Sequence, residues 1–300
     1  MIGVATSLAW LSLFLASAPA APGAPRLPLG PPGLGERRAT ATLAPGVTWT
    51  RISRGHALGG GLSGPWRVNV LRVARGAPGG RLAVALSGGL VPGREPLDAM
   101  ARRARALAAV NGGYFASGGV LDGDPVGALA VGRRLVSEPV GGRGSLLLRV
   151  APEGRPLIAS LRFAGSVTSG GSRRLLDGVD RPRGLIAGCG GRGGDRPTER
   201  PDPALVCTDL SELMLFTPTY GARTRTPGGG VEAVVRDGTV MALRGGGNST
   251  IPRNGYVLSG SGDAAGFLRT RAGPGTRPRV GLALRAGSRL LQPEAFGGIV

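Results

Sequence analysis

Three hundred residues are enough for one large domain or two small ones, with an ample core. The formal charge of +19 invites a nucleic-acid reading, but all 37 basic residues are Arg, scattered in short clusters such as Arg102–Arg103, Arg133–Arg134 and Arg173–Arg174. With aromatics at only 4%, base-stacking platforms are scarce and nucleic acid is not the expected partner, although a basic surface still favours anionic glycans or an anionic cell envelope.

Residues Ile2 to Ala18 are apolar and uncharged, and Ala18-Pro-Ala20 offers a small-residue cleavage site, so 1–20 reads as a signal peptide and 21–42 as a Pro/Gly-rich linker. No basic residue precedes the apolar run, a departure from the usual signal. An uncleaved anchor is the alternative, although the run is short for a bilayer. The expected location is secreted or cell-envelope. Gly46–Ile52 and Trp66–Val73 alternate apolar with polar residues as half-buried strands do, and Arg81–Leu86 is a third candidate. Between Glu95 and Leu107 the period becomes helical: Leu97, Met100, Ala101, Ala104 and Leu107 share one face, and Arg102, Arg103 and Arg105 a solvated one. Asp98 suits the positive end of that helix.

An apolar run of strand character, Leu107–Val110, then meets Asn111-Gly112-Gly113, followed by Tyr114 and Phe115. Asn-Gly-Gly is turn chemistry, and glycine lets the backbone turn sharply and approach a ligand closely. Asp124 returns a carboxylate in Gly123-Asp-Pro-Val-Gly127. Strands are expected over Val126–Gly132, Ser145–Val150 and Arg155–Phe163. Residues 188–208 form an insertion loop rich in Gly, Arg and Pro that carries Cys189 and Cys207, the only two cysteines. In an exported chain this pair reads as one disulfide. A metal site lacks ligands, because the sole His, His56, is distant and neither CxxC nor HExxH occurs. Glu212–Phe216 and Gly230–Arg236 resume strand character, with Asp237-Gly238 as a hairpin turn. Asn254-Gly255 leads into Tyr256–Gly260 and a short helix capped by Ser261 or Asp263. Many short strands with two evident helices, not alternating βαβ units, make an α+β domain of mixed, largely antiparallel sheets.

Five segments also stand in a familiar order: Val110–Phe115, Gly123–Gly127, Leu213–Gly221 with Thr224 and Thr226, Gly230-Val-Glu232, and Ile251–Gly260. Together they resemble the phosphodiester glycosidase family, which includes the lysosomal enzyme that uncovers mannose 6-phosphate by removing N-acetylglucosamine, and many exported bacterial proteins. The resemblance covers the domain 43–300. Family members continue with a Gly-rich strand and an Asp-Gly-Gly segment, whereas this chain stops at Phe296–Val300, so the C-terminal part of the domain is expected to be missing. The resemblance implies an exported hydrolase cleaving a sugar-1-phosphodiester bond of an envelope polysaccharide or related glycan. A non-catalytic carbohydrate or cell-wall binding protein of the same fold is the alternative, and an Arg-driven polyanion binder a third.

A phosphate leaving group departs without much protonation, so such a site needs water activation and groups that bind phosphate more than it needs a strong acid. Asp124 and Asn111 are the candidate catalytic residues. Gly112, Gly113, Tyr114, Phe115, Gly127, Thr224, Thr226, Arg253 and Asp263 are candidates for substrate binding, with Arg143 a further phosphate ligand. Asp263 as a helix cap is the competing reading. No cofactor is implied, and a divalent metal is left open.

Overall fold

The computed structural model describes residues 29–55, 63–78, 81–140, 142–149, 155–187 and 206–300. The expected signal peptide and most of the 188–208 loop, including Cys189, lie outside the described residues. The chain divides into two compact units, Met1–Arg81 and Leu82–Val300.

In the first unit Glu36–Ala44, Val47–Arg54 and Trp66–Val73 form an antiparallel three-stranded sheet in that order. Gly46, at φ +75°, makes the tight turn between the first two strands. Arg54 is buried at their far end, donating to the carbonyls of Leu29, Pro31 and Leu34 and lying 3.5 Å from Glu36. One guanidinium thus closes the entry segment onto the sheet.

Two five-stranded sheets build the second unit. One runs in the order Gly178–Val179, Leu213–Phe216, Gly255–Gly260, Val231–Arg236, Thr239–Gly245, and only its first pair is parallel. The other runs Arg134–Ser137, Leu129–Val131, Phe296–Ile299, Gly144–Arg149, Leu157–Ser160. Smaller antiparallel ladders surround them, among them Ile186–Ala187 with Val206–Cys207. The architecture is therefore dominated by antiparallel sheets, with two α-helices among the described residues.

Leu213–Phe216 is apolar at every position because both its faces are covered. Leu213 and Leu215 join a core with Ala130, Leu147, Val235, Leu258 and Ile299, whereas Met214 and Phe216 pack with Val91, Val136, Tyr220 and Val257. The helix Gly262–Arg271 presses Ala264, Ala265 and Leu268 onto the first of these cores. Ser261 occupies its N-cap position but does not cap it. The hydroxyl of Ser211 accepts from Asp263 N instead, and Ser261 Oγ accepts from Glu212 N.

Asp237 and Gly238 take left-handed conformations in the turn joining Val231–Arg236 to Thr239–Gly245, as the sequence predicts. Three expectations are corrected. Arg81–Leu86 pairs with no described strand. The helix spans only Leu97–Arg103 and buries no residue, being preceded by Pro96 and followed by Arg105 at φ +50°. Leu107–Val110 is neither paired nor buried; Leu107 is 59% exposed and Val110 81%. Apolar residues alone do not make a strand where no ladder partner lies alongside. At the other end, Phe296–Ile299 lies in mid-sheet, and Val300 exchanges backbone hydrogen bonds with Leu146.

Candidate active site

The strand Gly178–Val179 and the turn after it bring charged residues to one side of Leu213–Phe216. Asp177 accepts from Leu213 N at 2.7 Å, and Asp180 N donates to Leu215 O. Asp180 is fully buried with φ +54°, and its carboxylate accepts from both the amide and the hydroxyl of Thr217, at 2.6 and 2.7 Å. Beyond it Arg181 turns inward. Its Nε reaches Glu138 at 2.5 Å, its Nη1 and Nη2 reach Glu212 at 3.1 and 2.5 Å, and Nη1 also meets the carbonyls of Pro182 and Leu185. The remaining acceptor positions are filled by Val179 N on Glu138 and Gly184 N on Glu212. Burial works against the Arg181 charge, but the two carboxylates outweigh it and hold the guanidinium firmly protonated. Gly178 is required here, since a Cβ would lie 2.6 Å from Glu138 Oε1.

Asp124 enters this cluster from the other side. Tyr114–Ala116 and Gly123–Val126 lie antiparallel: Ala116 N donates to Asp124 O, Val126 N to Tyr114 O, and Phe115 bridges Pro125. Ser137 Oγ donates to Pro125 O, tying this turn to the strand that leads into Glu138. Asp124 is only 5% exposed, and its carboxyl has no hydrogen-bond partner among the described residues. Burial pushes its pKa well above the usual carboxylate range, and the charges of Glu138 and Asp180 push it further against Arg181.

Tyr220 closes the arrangement. It ends the 3₁₀ turn Pro218–Tyr220, in which Thr219 N donates to Thr217 Oγ1, and packs edge-on against Phe216 with ring centroids 4.9 Å apart. Its hydroxyl is buried without a partner. Burial and then the Asp124 charge push it up to about 12, while Arg225 opposes them, so it remains a proton-bearing donor at neutral pH.

A second polar cluster adjoins. Glu232 is buried within a strand and accepts from Thr226 Oγ1 at 2.6 Å, Thr224 Oγ1 at 3.2 Å and Ser249 N at 2.9 Å. Burial opposes its ionisation, but these donors outweigh it and hold Glu232 below the usual range. Arg183 lies across Gly230, where any Cβ would collide with the guanidinium, and donates to Pro227 O.

Of the residues singled out in sequence, Asp124 joins the buried cluster. Thr224 and Thr226 are buried beside it, but their hydroxyls are spent on Glu232, so they position that carboxylate. Asn111, Gly112, Gly113, Tyr114 and Phe115 are exposed. Gly112 lies under the Val300 side chain, where a Cβ would meet Cγ2 at 2.5 Å, and Arg143 stands 5.3 Å over the exposed Tyr114 ring. Gly127, at φ +136°, is half-buried, and Arg253 and Asp263 are exposed. Cys207 is buried and is not a free thiol; the expected bridge to Cys189 reaches beyond the described residues. Among the described residues no group of three or more His, Cys, Asp or Glu could hold a metal ion.

Sequence reasoning missed Glu138, Asp180, Arg181, Glu212, Tyr220 and Glu232. The available signal was a carboxylate at the start of, or within, an apolar run: Glu212 before Leu-Met-Leu-Phe, and Glu232 inside Gly-Val-Glu-Ala-Val-Val. Such a residue is buried with its strand and needs partners.

No protein-family model matches this chain, and no curated protein matches it. Solved structures do. A protein of Burkholderia pseudomallei K96243, predicted to be exported, is 27% identical with a TM-score of 0.79, over 92% of this chain and 73% of that one. A hypothetical protein from Synechocystis is 20% identical with a TM-score of 0.61, over 85% of this chain and 42% of that one, a likeness of fold alone. No helix of the described residues is long and apolar enough to cross a membrane.

Proposed function

We propose that the chain is an exported hydrolase that cleaves the glycosyl–phosphate bond of a sugar-1-phosphodiester in an envelope polysaccharide or related glycan, with Asp124 as the proton-accepting group. The observation that carries this reading is Asp124 itself: a buried carboxyl, unpartnered, next to a saturated Glu138–Arg181–Glu212 network. Burial makes such a group more basic than an ordinary carboxylate, as a group taking a proton from an attacking water must be. The departing phosphate needs little protonation, so the demand on a general acid is small. The apolar segment Ile2–Ala18 and the likeness to a protein predicted to be exported support an extracytoplasmic location. The order of the five sequence segments supports the substrate class.

The test is incubation of the full chain with sugar-1-phosphodiesters, followed by ³¹P NMR for the released phosphomonoester and by a reducing-sugar assay. Release that disappears in the Asp124→Asn variant supports the proposal. One observation favours the non-catalytic alternative: Tyr114 is 78% exposed and Phe115 53%, a surface on which a sugar ring can stack. Binding of a glycan without any turnover, lost on Tyr114→Ala, would establish that reading instead.

A further inference from the structure

Among the described residues six that are not glycine have a left-handed backbone: Arg105, Arg133, Asp180, Arg225, Asp237 and Asn248. Four have a local explanation. Arg105 follows the end of a helix, Arg133 and Asp237 sit in the turns of tight hairpins, and Asn248 is an Asn in the loop after Thr239–Gly245. Asp180 and Arg225 have none, and the charges of both act on the Tyr220 hydroxyl. Unfavourable backbone held by its surroundings is a pointer to a functional position.

The surroundings of Arg225 show how it is held. Thr224 and Thr226 both turn into the interior to bind Glu232, and Thr226 also accepts from Asn248 N at 3.0 Å. Thr224 is fixed further by its backbone, whose amide donates to Ser249 O. With its two neighbours anchored inward, Arg225 is left on the outer side, exposed, with no hydrogen bond or ion pair among the described residues. Of the two arginines that line the buried clusters, Arg181 is held by Glu138 and Glu212, and Arg183 donates to Pro227 O.

We infer that Arg225 is the residue that recognises the phosphate of the substrate, so that the site takes an anionic glycosyl phosphate in preference to a neutral glycoside. The inference rests on the hydrolase reading for the reaction but not for the binding. A guanidinium offers paired donors to two phosphate oxygens. The Glu232–Thr224–Thr226 cluster then has a purpose: it presents one arginine at a fixed place, so that little side-chain and backbone freedom is lost on binding.

The test uses the full chain, with Arg225→Gln and Arg225→Lys against Arg236→Gln, an exposed arginine at the Asp237 turn, as the control. Calorimetric titration with glucose 1-phosphate and with methyl glucoside reads binding, and ³¹P NMR with a sugar-1-phosphodiester reads turnover. Affinity for glucose 1-phosphate should fall at least 10-fold in Arg225→Gln, partly recover in Arg225→Lys and stay at the wild-type value in Arg236→Gln. Any affinity for methyl glucoside should be unchanged throughout. Phosphate binding lost in Arg225→Gln, in a wild type that hydrolyses nothing, overturns the hydrolase reading and supports this one. Hydrolysis or binding that survives Arg225→Gln overturns this inference and leaves the hydrolase reading intact. Loss of both ligands together makes the position structural, and absence of any binding to the wild type overturns it outright.

Discussion

Replacing Asp180 by Asn tests whether the buried cluster carries protons at neutral pH. Burial drives this carboxyl from its ordinary value of 3.8 up to about 8, against the hydrogen bonds from Thr217 that favour its ionised form. A raised acid binds its proton more tightly in the folded chain than in the unfolded one. Its contribution to stability is therefore complete below about pH 4 and is lost as pH rises toward 8, at about 1.4 kcal/mol per pH unit. Across that window the loss is on the order of 5 kcal/mol, a large share of the stability of an ordinary domain. Asn has the shape of the protonated acid. It accepts from Thr217 N, donates to Thr217 Oγ1, and tolerates the backbone at φ +54°. Urea denaturation of both proteins between pH 4 and 8 is the assay. Asp180→Asn should match the wild type near pH 4 and exceed it by several kcal/mol at pH 8. A variant that is less stable at pH 8, with a profile parallel to the wild type, would refute the reasoning, because the carboxylate would then be ionised and held by Thr217 and Arg181.

Asp124→Asn should lower sugar-phosphodiester turnover about 100-fold or more while leaving the melting temperature at pH 7 unchanged or raised, because it removes a carboxyl whose ionisation burial opposes. Wild-type turnover in that variant would remove Asp124 from the chemistry. Arg181→Met strands Glu138 and Glu212 without their shared cation and should cost about 3–5 kcal/mol in chemical denaturation. Thr226→Val removes the 2.6 Å donor to Glu232 and the acceptor for Asn248 N, for a cost of about 1–3 kcal/mol. Thr224→Val, which gives up only a 3.2 Å bond to Glu232, should cost less, and the reverse order would sink this account of the cluster.

The strands were legible where periodicity coincides with a ladder partner. Trp66–Val73 alternates and pairs as its residues imply, Val231–Arg236 pairs and turns at Asp237-Gly238, and Leu213–Phe216 shows in its unbroken apolar run that both faces are covered. Leu107–Val110 has similar residues and no partner, and pairing is a property of the whole chain that a local pattern does not contain. The site was half legible for the same reason. Asp124 announces itself between glycines at a turn. Asp180 and Arg181 stand in Gly-Val-Asp-Arg-Pro-Arg, a string with the look of an ordinary loop, and only the parallel pairing of Gly178–Val179 with Met214–Leu215 carries them to Glu138 and Glu212. Thr224 and Thr226 were legible as functional threonines, but their partner Glu232 was hidden by the apolar residues around it.

Charge balance links these observations. Three carboxyls, Asp124, Glu138 and Glu212, act on Arg181, and Asp180 lies within the field of Glu138 beside them. Glu138 and Glu212 take all of its ion-pairing nitrogens. That leaves two buried carboxyls with no cation of their own. Ionising both would place like charges in a medium that screens them poorly, so they keep protons well above the usual range. Asp180 accepts two hydrogen bonds from Thr217, whereas Asp124 has no such partner. A carboxyl raised in this way, with nothing else to bind, takes up a proton readily, which is the accepting role proposed for Asp124. If Asp180→Asn removes one of the two protonated sites, the remaining pressure on Asp124 also falls, since the Asp180 charge is among those that raise it. The acidic limb of turnover, set by deprotonation of Asp124, should then move to lower pH in Asp180→Asn, and a limb that stays in place would mean that the two carboxyls titrate independently.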